Sequence, residues 1–413
     1  MFIVPKIRGP LKGCSTPESV VARIPYSTGK LHLSQTPPRS PGTAHLLVTA
    51  PAAETGLRLH CLGISHRTAT SDIRERTGFP TARIREALCE ARRDARVERL
   101  VIVATCHRTE LYAETPRDAP DSAETLLQWW SANCSIPIAA LLPHAYSLSG
   151  EDAARHLFRV TAGLDSVVLG EAQIVGQVAT SLRQSVAVHA ASPMLKVAFK
   201  NAVRAGERAR GAVWGRLQAA SLGSAAVDAA ATAANGLRGR NVVIVGAGEI
   251  AELALRSLSA HSPARVTIAN RTMETAQEMG SHHGAVACTL DALPAAMRDA
   301  DVVIAATRAT RPFIDQAMVT AALEHRHTRP LLLVDVSLPR NVDVAVRQVL
   351  GAQLIGIDDL GRYISAAHSD RRAMVPAVER IVEQELALLR VRLARRTAVA
   401  PRSRANVTGS VAV

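Results

Sequence analysis

Apolar and polar positions alternate in short blocks along residues 57–214. Residues 59–64 and 100–104 are apolar runs of strand length that are rich in branched side chains. Residues 81–93 and 151–161 instead place apolar side chains three and four positions apart, as one face of a helix requires. The pattern therefore predicts strands and helices in alternation.

Further along the chain the alternation becomes more regular. Residues 178–234 are rich in alanine and are predicted to be mostly helical, and residues 241–357 alternate strand and helix as a parallel, doubly wound sheet does. One long helix is predicted after Asp358, with Pro376 either kinking it or marking its start. The predicted units are a disordered extension (1–56), a first domain (57–214), a second domain (215–358), a long helix (359–396) and a disordered basic tail (397–413).

The composition describes a globular protein. Its 413 residues are 47% hydrophobic and leave room for two or three domains. No apolar run approaches the roughly 20 residues of a membrane helix, so we expect no membrane span. The six cysteines include no Cys-x-x-Cys pair, which indicates neither a metal site nor a redox dithiol and fits a reducing cytoplasm.

The net charge of +13 is concentrated at the two ends, residues 1–56 and 390–413. Basic ends are either solvated or help to hold RNA through its phosphates. The first segment, poor in acids and rich in Ser and Pro, resembles a transit peptide in composition, and a start assigned too far upstream explains it as well.

Cys106 stands just beyond the apolar run 100–104, among polar and charged residues. A buried strand that ends in a thiol is a way to place a nucleophile, and His107 and Arg108 are expected to lower its pKa. The alternative is an ordinary packing cysteine at the end of a strand.

Residues 241–251 predict a strand, a tight turn and the start of a helix, and they match G-x-G-x-x-A. In this motif Gly246 permits the turn, Gly248 lets the backbone approach a pyrophosphate, and Ala251 allows close packing of helix on strand. The candidate cofactor-binding residues here are Gly246, Ala247, Gly248, Glu249, Ile250 and Ala251.

The next predicted strand ends in Asn270, Arg271 and Thr272, where an NAD enzyme usually carries an acid for the ribose hydroxyl. Arg271 and Thr272 suit a 2′-phosphate instead, so NADP(H) is favoured; the alternative for Arg271 is a plain surface charge. A thiol and a nicotinamide in one chain suggest a thioester that is reduced to an aldehyde.

Several motifs in a fixed order resemble those of the glutamyl-tRNA reductases, over about residues 59–389. The resemblance implies NADPH-dependent reduction of glutamyl-tRNA(Glu) to glutamate-1-semialdehyde, at the start of the five-carbon route to tetrapyrroles. The motifs are Gly63-Ile64-Ser65-His66-Arg67-Thr68-Ala69, Ile73-Arg74-Glu75-Arg76, Thr105-Cys106-His107-Arg108-Thr109-Glu110, residues 163–177, Gly246-Ala247-Gly248-Glu249, Ala269-Asn270-Arg271-Thr272 and residues 334–340.

Carried over to this chain, the resemblance makes Cys106 the nucleophile and His156 a general acid/base or a group that orients the ester. Arg108 is a forked partner for a substrate carboxylate. Local sequence alone predicts His156 on a helix surface, Ser166 as a helix cap and Glu171 in a surface ion pair. The substrate-binding positions implied are Thr105, His107, Arg108, Ser166, Glu171, Ala172, Gln173 and Gln177.

The resemblance also implies a fold: a ferredoxin-like catalytic domain, an NADPH-binding Rossmann domain and a long spinal helix that leads to a dimerisation domain. Two departures stand out. Position 107 is His where the family has Asn, which alters substrate positioning or the pH profile. Only an arginine-rich tail follows Arg396, so the dimerisation domain is expected to be missing and the oligomeric state stays open.

Three functions are therefore weighed. The first is the reductase; the second is a diverged paralog that binds glutamyl-tRNA or a pathway partner without turnover; the third is a reductase of another activated acyl group. Cys106, His156 and the glycine loop favour the first, and His107 favours the second. Hydrolysis of glutamyl-tRNA without NADPH is an expected side reaction, and direct transfer of the aldehyde to an aminomutase is a further expectation.

Overall fold

Strands form two sheets within the described part of this computed structural model, one antiparallel and one parallel. The structure describes residues 57–94, 97, 99–114, 122–216, 221–324, 326, 329–363 and 369–399. The predicted disordered extension, residues 1–56, and residues 400–413 of the predicted tail lie outside the described residues. None of the described helices is both long and apolar enough to cross a membrane.

The first sheet has the strand order β2-β3-β1-β4, with every neighbouring pair antiparallel. Helices connect β1 to β2 and β3 to β4, which gives the predicted ferredoxin-like arrangement. Its elements are β1 (Leu59–Ser65), α1 (Ser71–Thr77), α2 (Thr81–Arg93), β2 (Leu100–Ala104), β3 (Arg108–Glu114), α3 (Ser122–Cys134), α4 (Ile138–Leu141) and β4 (Tyr146–Ser149).

The chain continues with further α-helices and with the strands of the parallel sheet. They are α5 (Gly150–Thr161), α6 (Gln173–Ala187), α7 (Pro193–Ala212), α8 (Leu222–Ala233), β5 (Asn241–Val245), α9 (Glu249–Leu258), β6 (Arg265–Asn270), α10 (Met273–His283), β7 (Val286–Thr289), α11 (Leu293–Asp299), β8 (Val302–Ala305), α12 (Gln316–Leu323), β9 (Leu331–Asp335), β10 (Ala352–Gly356), α13 (Leu360–Tyr363) and α14 (Ser369–Val399).

Both faces of the antiparallel sheet are covered, which explains why its strands read as unbroken apolar runs. Along β1, Leu59 and Cys61 face a core shared with α5, α6, α7 and α14, whereas Leu62 and Ile64 face a core shared with α2 and α3. Side chains alternate between the faces of a strand, so two helical layers demand apolar residues at every position.

The parallel sheet has the strand order β10-β9-β8-β5-β6-β7. This is the Rossmann order, with the chain reversing direction across the sheet between β5 and β8. Ligands bind in such sheets beyond the carboxyl ends of the strands at this reversal, which is where Gly246 follows β5. The predicted parallel, doubly wound domain is confirmed.

Two described helices lie in the region predicted as one long helix over 359–396. They are α13 and α14, with residues 364–368 between them outside the described residues, and α14 contains Pro376 and continues to Val399. Pro376 is therefore not the start of the helix, and residues 397–399 are helical rather than disordered. Buried side chains such as Val382 and Leu386 dock α14 on the first domain, and this packing carries the helix through the proline and into its arginine-rich end.

Candidate active site

Cys106 lies in the short turn that joins β2 to β3. The Thr105 hydroxyl accepts hydrogen bonds from the backbone N–H groups of His107 and Arg108, both at 3.2 Å. The guanidinium of Arg74 donates to the Cys106 carbonyl. Thr105, a predicted substrate-binding residue, thus shapes the turn that carries Cys106, which is a half-buried residue.

Arg108 lowers the pKa of the Cys106 thiol as predicted, but this effect and that of Arg74 are outweighed. Desolvation, followed by the charge of Glu171, raises the pKa of the thiol to about 12. The Nδ1 atom of His107 lies 3.4 Å from the sulfur. Burial and then two arginines lower the pKa of His107 to about 3, so its imidazole is neutral and offers the thiolate no positive charge.

Behind the turn, Glu110 is fully buried at the centre of a polar network. One of its oxygens, Oε1, accepts from Arg108 Nη1 at 2.6 Å and from the Tyr146 hydroxyl at 2.5 Å, and it lies 2.9 Å from His156 Nε2. The other oxygen accepts from the Tyr112 hydroxyl at 2.7 Å. Burial by itself raises the pKa of Glu110, but Arg108 and these hydrogen bonds outweigh it and hold the pKa well below its usual range.

His156 belongs to this buried network and not to a helix surface, which corrects the local prediction. It lies on the face of α5 that packs on the first sheet, in phase with Ala153, Leu157 and Val160. Its Nδ1 atom is 3.7 Å from a carboxylate oxygen of Asp165. Because both ring nitrogens face carboxylates, the imidazole links β3 to the loop that follows α5.

Arg108, predicted as a forked partner for a substrate carboxylate, has both terminal nitrogens bound to acceptors of the protein. Nη1 donates to Glu110, and Nη2 donates to the backbone carbonyl of Asp165 at 2.5 Å. Burial opposes the charge on Arg108, but Glu110 and Asp165 raise the pKa of its guanidinium above its ordinary value. The fork therefore joins the nucleophile turn to the loop after α5.

That loop, residues 162–172, holds several of the predicted substrate-binding positions. Gly163 and Gly170 have φ angles of 76° and 71°, and a Cβ on Gly163 would lie 2.8 Å from the Gly170 Cα atom. Only glycine tolerates so close an approach in this conformation. The loop carries Ser166, Glu171 and Ala172, and α6 continues the set with Gln173 and the exposed Gln177.

Ser166 and Glu171 are both buried, and neither has its locally predicted role. Ser166 precedes α6 by several residues, so it does not cap that helix. Desolvation raises the pKa of Glu171 to about 7; the charge of Arg108 lowers it and that of Glu249 raises it. Glu171 is therefore in electrostatic contact with both the thiol and the start of the helix after the glycine loop.

The cofactor loop has the predicted form. Gly246 has a φ of 110°, and a Cβ there would lie 2.5 Å from the carbonyl oxygen of Ala306. At Gly248, by contrast, a Cβ would meet nothing within 4 Å, and no side chain caps the N-terminus of α9. Ala251 is fully buried against the sheet, as the motif requires. Open space before an uncapped helix N-terminus suits a pyrophosphate.

The other parts of this crevice are less enclosed. Glu249 and Ile250 form the first turn of α9, next to Ala247. At the end of β6, Asn270 donates a hydrogen bond to the Thr272 carbonyl at 3.0 Å, and Arg271 is exposed. An exposed guanidinium at this strand end has room to meet a phosphate.

The carboxyl ends of β8 and β9 are joined by Asn341, which the sequence did not single out. Its Oδ1 accepts from the Thr307 backbone at 3.1 Å, from the Thr307 hydroxyl at 2.7 Å and from the Ser337 hydroxyl at 2.8 Å. Its Nδ2 is buried and has no hydrogen-bond partner among the described residues. Together with the space over Gly248, this spare donor fits a polar ligand at the strand ends.

Two other features of the described residues resemble binding sites, one for a metal ion and one for a small molecule. Cys61, Glu110 and His156 bring donor atoms within 4.8 Å of one another, but Glu110 already accepts four contacts, so a metal ion would have to displace them. A cavity of about 580 Å³ lies beside Arg58, Arg99 and Glu114, at the ends of the strands opposite to Cys106. It is therefore separate from the chemistry at the thiol.

Comparison with known proteins adds to this geometry. The family model "Glutamyl-tRNAGlu reductase, N-terminal domain" matches residues 62–213, and the model "Shikimate / quinate 5-dehydrogenase" matches residues 228–363. A glutamyl-tRNA reductase of Desulforudis audaxviator is 35% identical over 325 residues, which cover 79% of this chain and 72% of that protein. The chain belongs to the glutamyl-tRNA reductase family. Membership confirms the resemblance drawn from the motifs.

Other members agree with this placement. The glutamyl-tRNA reductase of Shewanella amazonensis is 34% identical over 329 residues, 80% of this chain and 78% of that protein. A solved glutamyl-tRNA reductase from Methanopyrus kandleri is 32% identical, with 82% of this chain and 81% of that one covered and a TM-score of 0.45. As a member of this family the chain is an oxidoreductase, and its cofactor is a nicotinamide dinucleotide.

Proposed function

We propose that this chain reduces glutamyl-tRNA(Glu) to glutamate-1-semialdehyde with NADPH, the first step of tetrapyrrole biosynthesis, through a thioester on Cys106. The observation that carries the proposal is a juxtaposition. Cys106 packs against the core of the Rossmann domain, and Glu171 beside it is in electrostatic range of Glu249 on the cofactor helix. The packing of Cys106 and the electrostatic effect of Glu249 on Glu171 thus support a nucleophile close to the helix that follows the dinucleotide loop.

In the first step the Cys106 sulfur attacks the ester carbonyl of glutamyl-tRNA. A carbon–sulfur bond forms, the carbon–oxygen bond to the terminal ribose breaks, and the thiol proton passes to the departing ribose oxygen. His107, whose Nδ1 lies 3.4 Å from the sulfur, does not keep this proton, since burial and then Arg74 and Arg108 disfavour an imidazolium. With the thiol pKa at about 12, proton loss accompanies attack and does not precede it.

In the second step the thioester becomes an aldehyde. Residues 246–251 would hold NADPH, with Arg271 at its 2′-phosphate, and the bound cofactor would supply a hydride to the thioester carbon. The carbon–sulfur bond then breaks, and the Cys106 sulfur leaves as a thiolate that takes up a proton. The spare Nδ2 donor of Asn341 supports a polar cofactor group at this end of the crevice.

The other site residues have supporting roles in this proposal. His156 and Arg108 act through Glu110 and Asp165 to fix the turn and the loop after α5. A direct acid/base role for His156 stays a prediction. Cytoplasmic location and transfer of the product to an aminomutase also stay predictions. The residues assigned to the glutamyl group are Thr105, His107, Arg108, Ser166, Glu171, Ala172, Gln173 and Gln177.

The direct test supplies the purified chain with glutamyl-tRNA(Glu) and NADPH and measures glutamate-1-semialdehyde. We expect aldehyde from the parent and from Cys89→Ser, a control at another half-buried cysteine. Cys106→Ser should lose on the order of 10³-fold or more, because a serine hydroxyl is a far weaker nucleophile without a dedicated base. Bound tRNA without aldehyde would instead support the diverged paralog.

Omitting NADPH sharpens this test. The thioester should then meet water, releasing glutamate and regenerating the thiol. Hydrolysis by Cys106→Ser as fast as by the parent would contradict a thioester on this cysteine.

A further inference from the structure

Helix α1 of the first domain is joined to the Rossmann domain by two groups of charges, here called the interdomain clasp. In one group, Arg74 pairs with the Asp358 carboxylate, which also accepts from the Ser71 backbone N–H at 2.8 Å. In the other, Arg340 donates to Glu75 from its backbone at 2.9 Å and from its side chain at 3.1 Å, and it also pairs with Asp72.

Arg74 is the part of the clasp that reaches the nucleophile. Its side chain is 3% exposed, and one guanidinium donates both to the Cys106 carbonyl and to Asp358. A buried guanidinium needs its counter-charge to stay in place. Asp358, which follows β10, is therefore linked through a single side chain to the backbone of the reacting cysteine.

Arg340 places the second anchor at the cofactor side. It precedes Asn341, which joins the ends of β8 and β9. The clasp therefore holds the Rossmann domain at two points, one connected to the sulfur and the other to the crevice. Between the two domains, Cys106 also packs against the Rossmann core.

We infer that the interdomain clasp is a positioning device for hydride transfer and not for acyl transfer. The inference rests on the proposed function. Attack on the ester uses groups of the first domain, whereas reduction needs both domains in register. Reacting atoms must approach to about 3–3.5 Å, and a displacement of about 1 Å can cost on the order of 10²-fold in rate. A loosened clasp should leave the thioester to water.

The test uses Asp358→Asn in the full chain, with single-turnover amounts of glutamyl-tRNA. Arg74 itself is left intact because it holds the turn. We expect aldehyde formation with NADPH to fall at least about tenfold more than glutamate release without NADPH, with glutamate replacing the aldehyde. Glu86→Gln, which breaks an exposed Arg83–Glu86 pair at 3.4 Å on α2, should change neither rate.

A double-mutant cycle tests the second anchor. Arg340→Ala and Glu75→Ala should each shift the product toward glutamate, and the double variant should be no worse than the poorer single variant. Equal losses in hydrolysis and reduction would reveal a merely structural effect and overturn the inference. An unchanged product ratio would overturn it as well.

Alkylation of Cys106, followed on its own peptide by mass spectrometry, gives a readout that needs no turnover. Asp358→Asn should raise the alkylation rate about fivefold or more, because the thiol loses its cover from the Rossmann core. An unchanged rate contradicts the clasp even if the parent makes no aldehyde. Absence of aldehyde from the parent, with faster alkylation in the variant, would count against the proposed reaction alone.

Discussion

The two sheets differ in what they bury. The antiparallel sheet holds a fully buried carboxylate, Glu110, on a strand, with Arg108 and Tyr112 on the same strand around it. The inner strands β5, β8 and β9 of the parallel sheet bury mainly apolar side chains until their carboxyl ends, and Asp335 at the end of β9 binds the backbone of the following loop. The first sheet thus carries chemistry within itself, and the second offers an edge to a ligand.

The two sheets are specified by different features of the sequence. A parallel sheet between helical layers needs only apolar strands and glycines at the reversal point. A charge inside a sheet needs partners from several elements at once, since an unpaired buried charge is very costly.

The largest effect on stability should come from the buried carboxylate. Glu110→Ala leaves Arg108 without its main counter-charge, so we expect the free energy of unfolding to fall by about 3–5 kcal/mol. Denaturant unfolding measures this change. Glu86→Gln, at an exposed pair, should stay within about 0.5 kcal/mol. A loss at Glu110 no larger than at Glu86 would mean that the network is not a structural necessity.

The same carboxylate makes the parent sensitive to acid. Because its pKa in the folded state is depressed, its contribution is present above the unfolded pKa of about 4.3 and is lost as the pH falls further. Glu110→Gln should therefore flatten the fall of stability below about pH 4. A curve parallel to that of the parent would contradict the depressed pKa.

At the edge of the parallel sheet, substitutions of Gly246 and Gly248 should separate an effect on stability from an effect on cofactor binding. Gly246→Ala forces a side chain to φ 110° and to 2.5 Å from a carbonyl, so the domain should lose at least about 1 kcal/mol of stability. Gly248→Ala meets open space, so stability should hold while the KM for NADPH rises about tenfold. Unchanged NADPH kinetics in Gly248→Ala would mean that the pyrophosphate does not bind over Gly248.

The preference for NADPH should depend on Arg271. Removing a charge-assisted contact to a phosphate costs about 1.5–3 kcal/mol, so Arg271→Ala should lower kcat/KM with NADPH roughly 10- to 100-fold and leave that with NADH unchanged. Arg265→Ala, at the exposed opposite end of β6, is the matched control. An equal loss of kcat/KM with both cofactors would mean that Arg271 is a surface charge that does not recognise the 2′-phosphate.

The smallest effect should be at Glu171. Its negative charge raises the pKa of Cys106, so Glu171→Gln should lower that pKa and speed alkylation of the Cys106 peptide at pH 7.5. Because the pH lies far below the thiol pKa, each unit of lowering gives about a tenfold rise in thiolate, and we expect a rise of about threefold. Slower alkylation would mean that Glu171 lowers the pKa of the Cys106 thiol and does not raise it.

Local pattern was enough for most of the fold. The strand at residues 100–104 and the helix at residues 81–93 have the predicted bounds, and the parallel sheet follows from apolar strands and a glycine turn. These features depend on neighbours in sequence. The continuation of α14 through Pro376, by contrast, depends on how α14 packs against α5 and α7, which periodicity does not record.

The site was less accessible to sequence reasoning. Cys106 and the glycine loop have local signatures, but the partners of Glu110 come from β3, β4 and α5. The sequence did indicate that His156 is buried, because it lies at helical spacing with the apolar residues Ala153, Leu157 and Val160 of α5. The raised thiol pKa had no such signal, because it depends on packing and on a charge from Glu171, a distant part of the chain.

The central claim is a thioester on Cys106 that NADPH reduces. The most direct measurement incubates the chain with glutamyl-tRNA(Glu) without NADPH, quenches it in acid and locates the glutamyl group by peptide mass spectrometry. We predict the group on the Cys106 peptide, and its conversion to glutamate-1-semialdehyde when NADPH is added before the quench. Acylation at another residue, or an acyl-cysteine that NADPH leaves unchanged, would contradict the account.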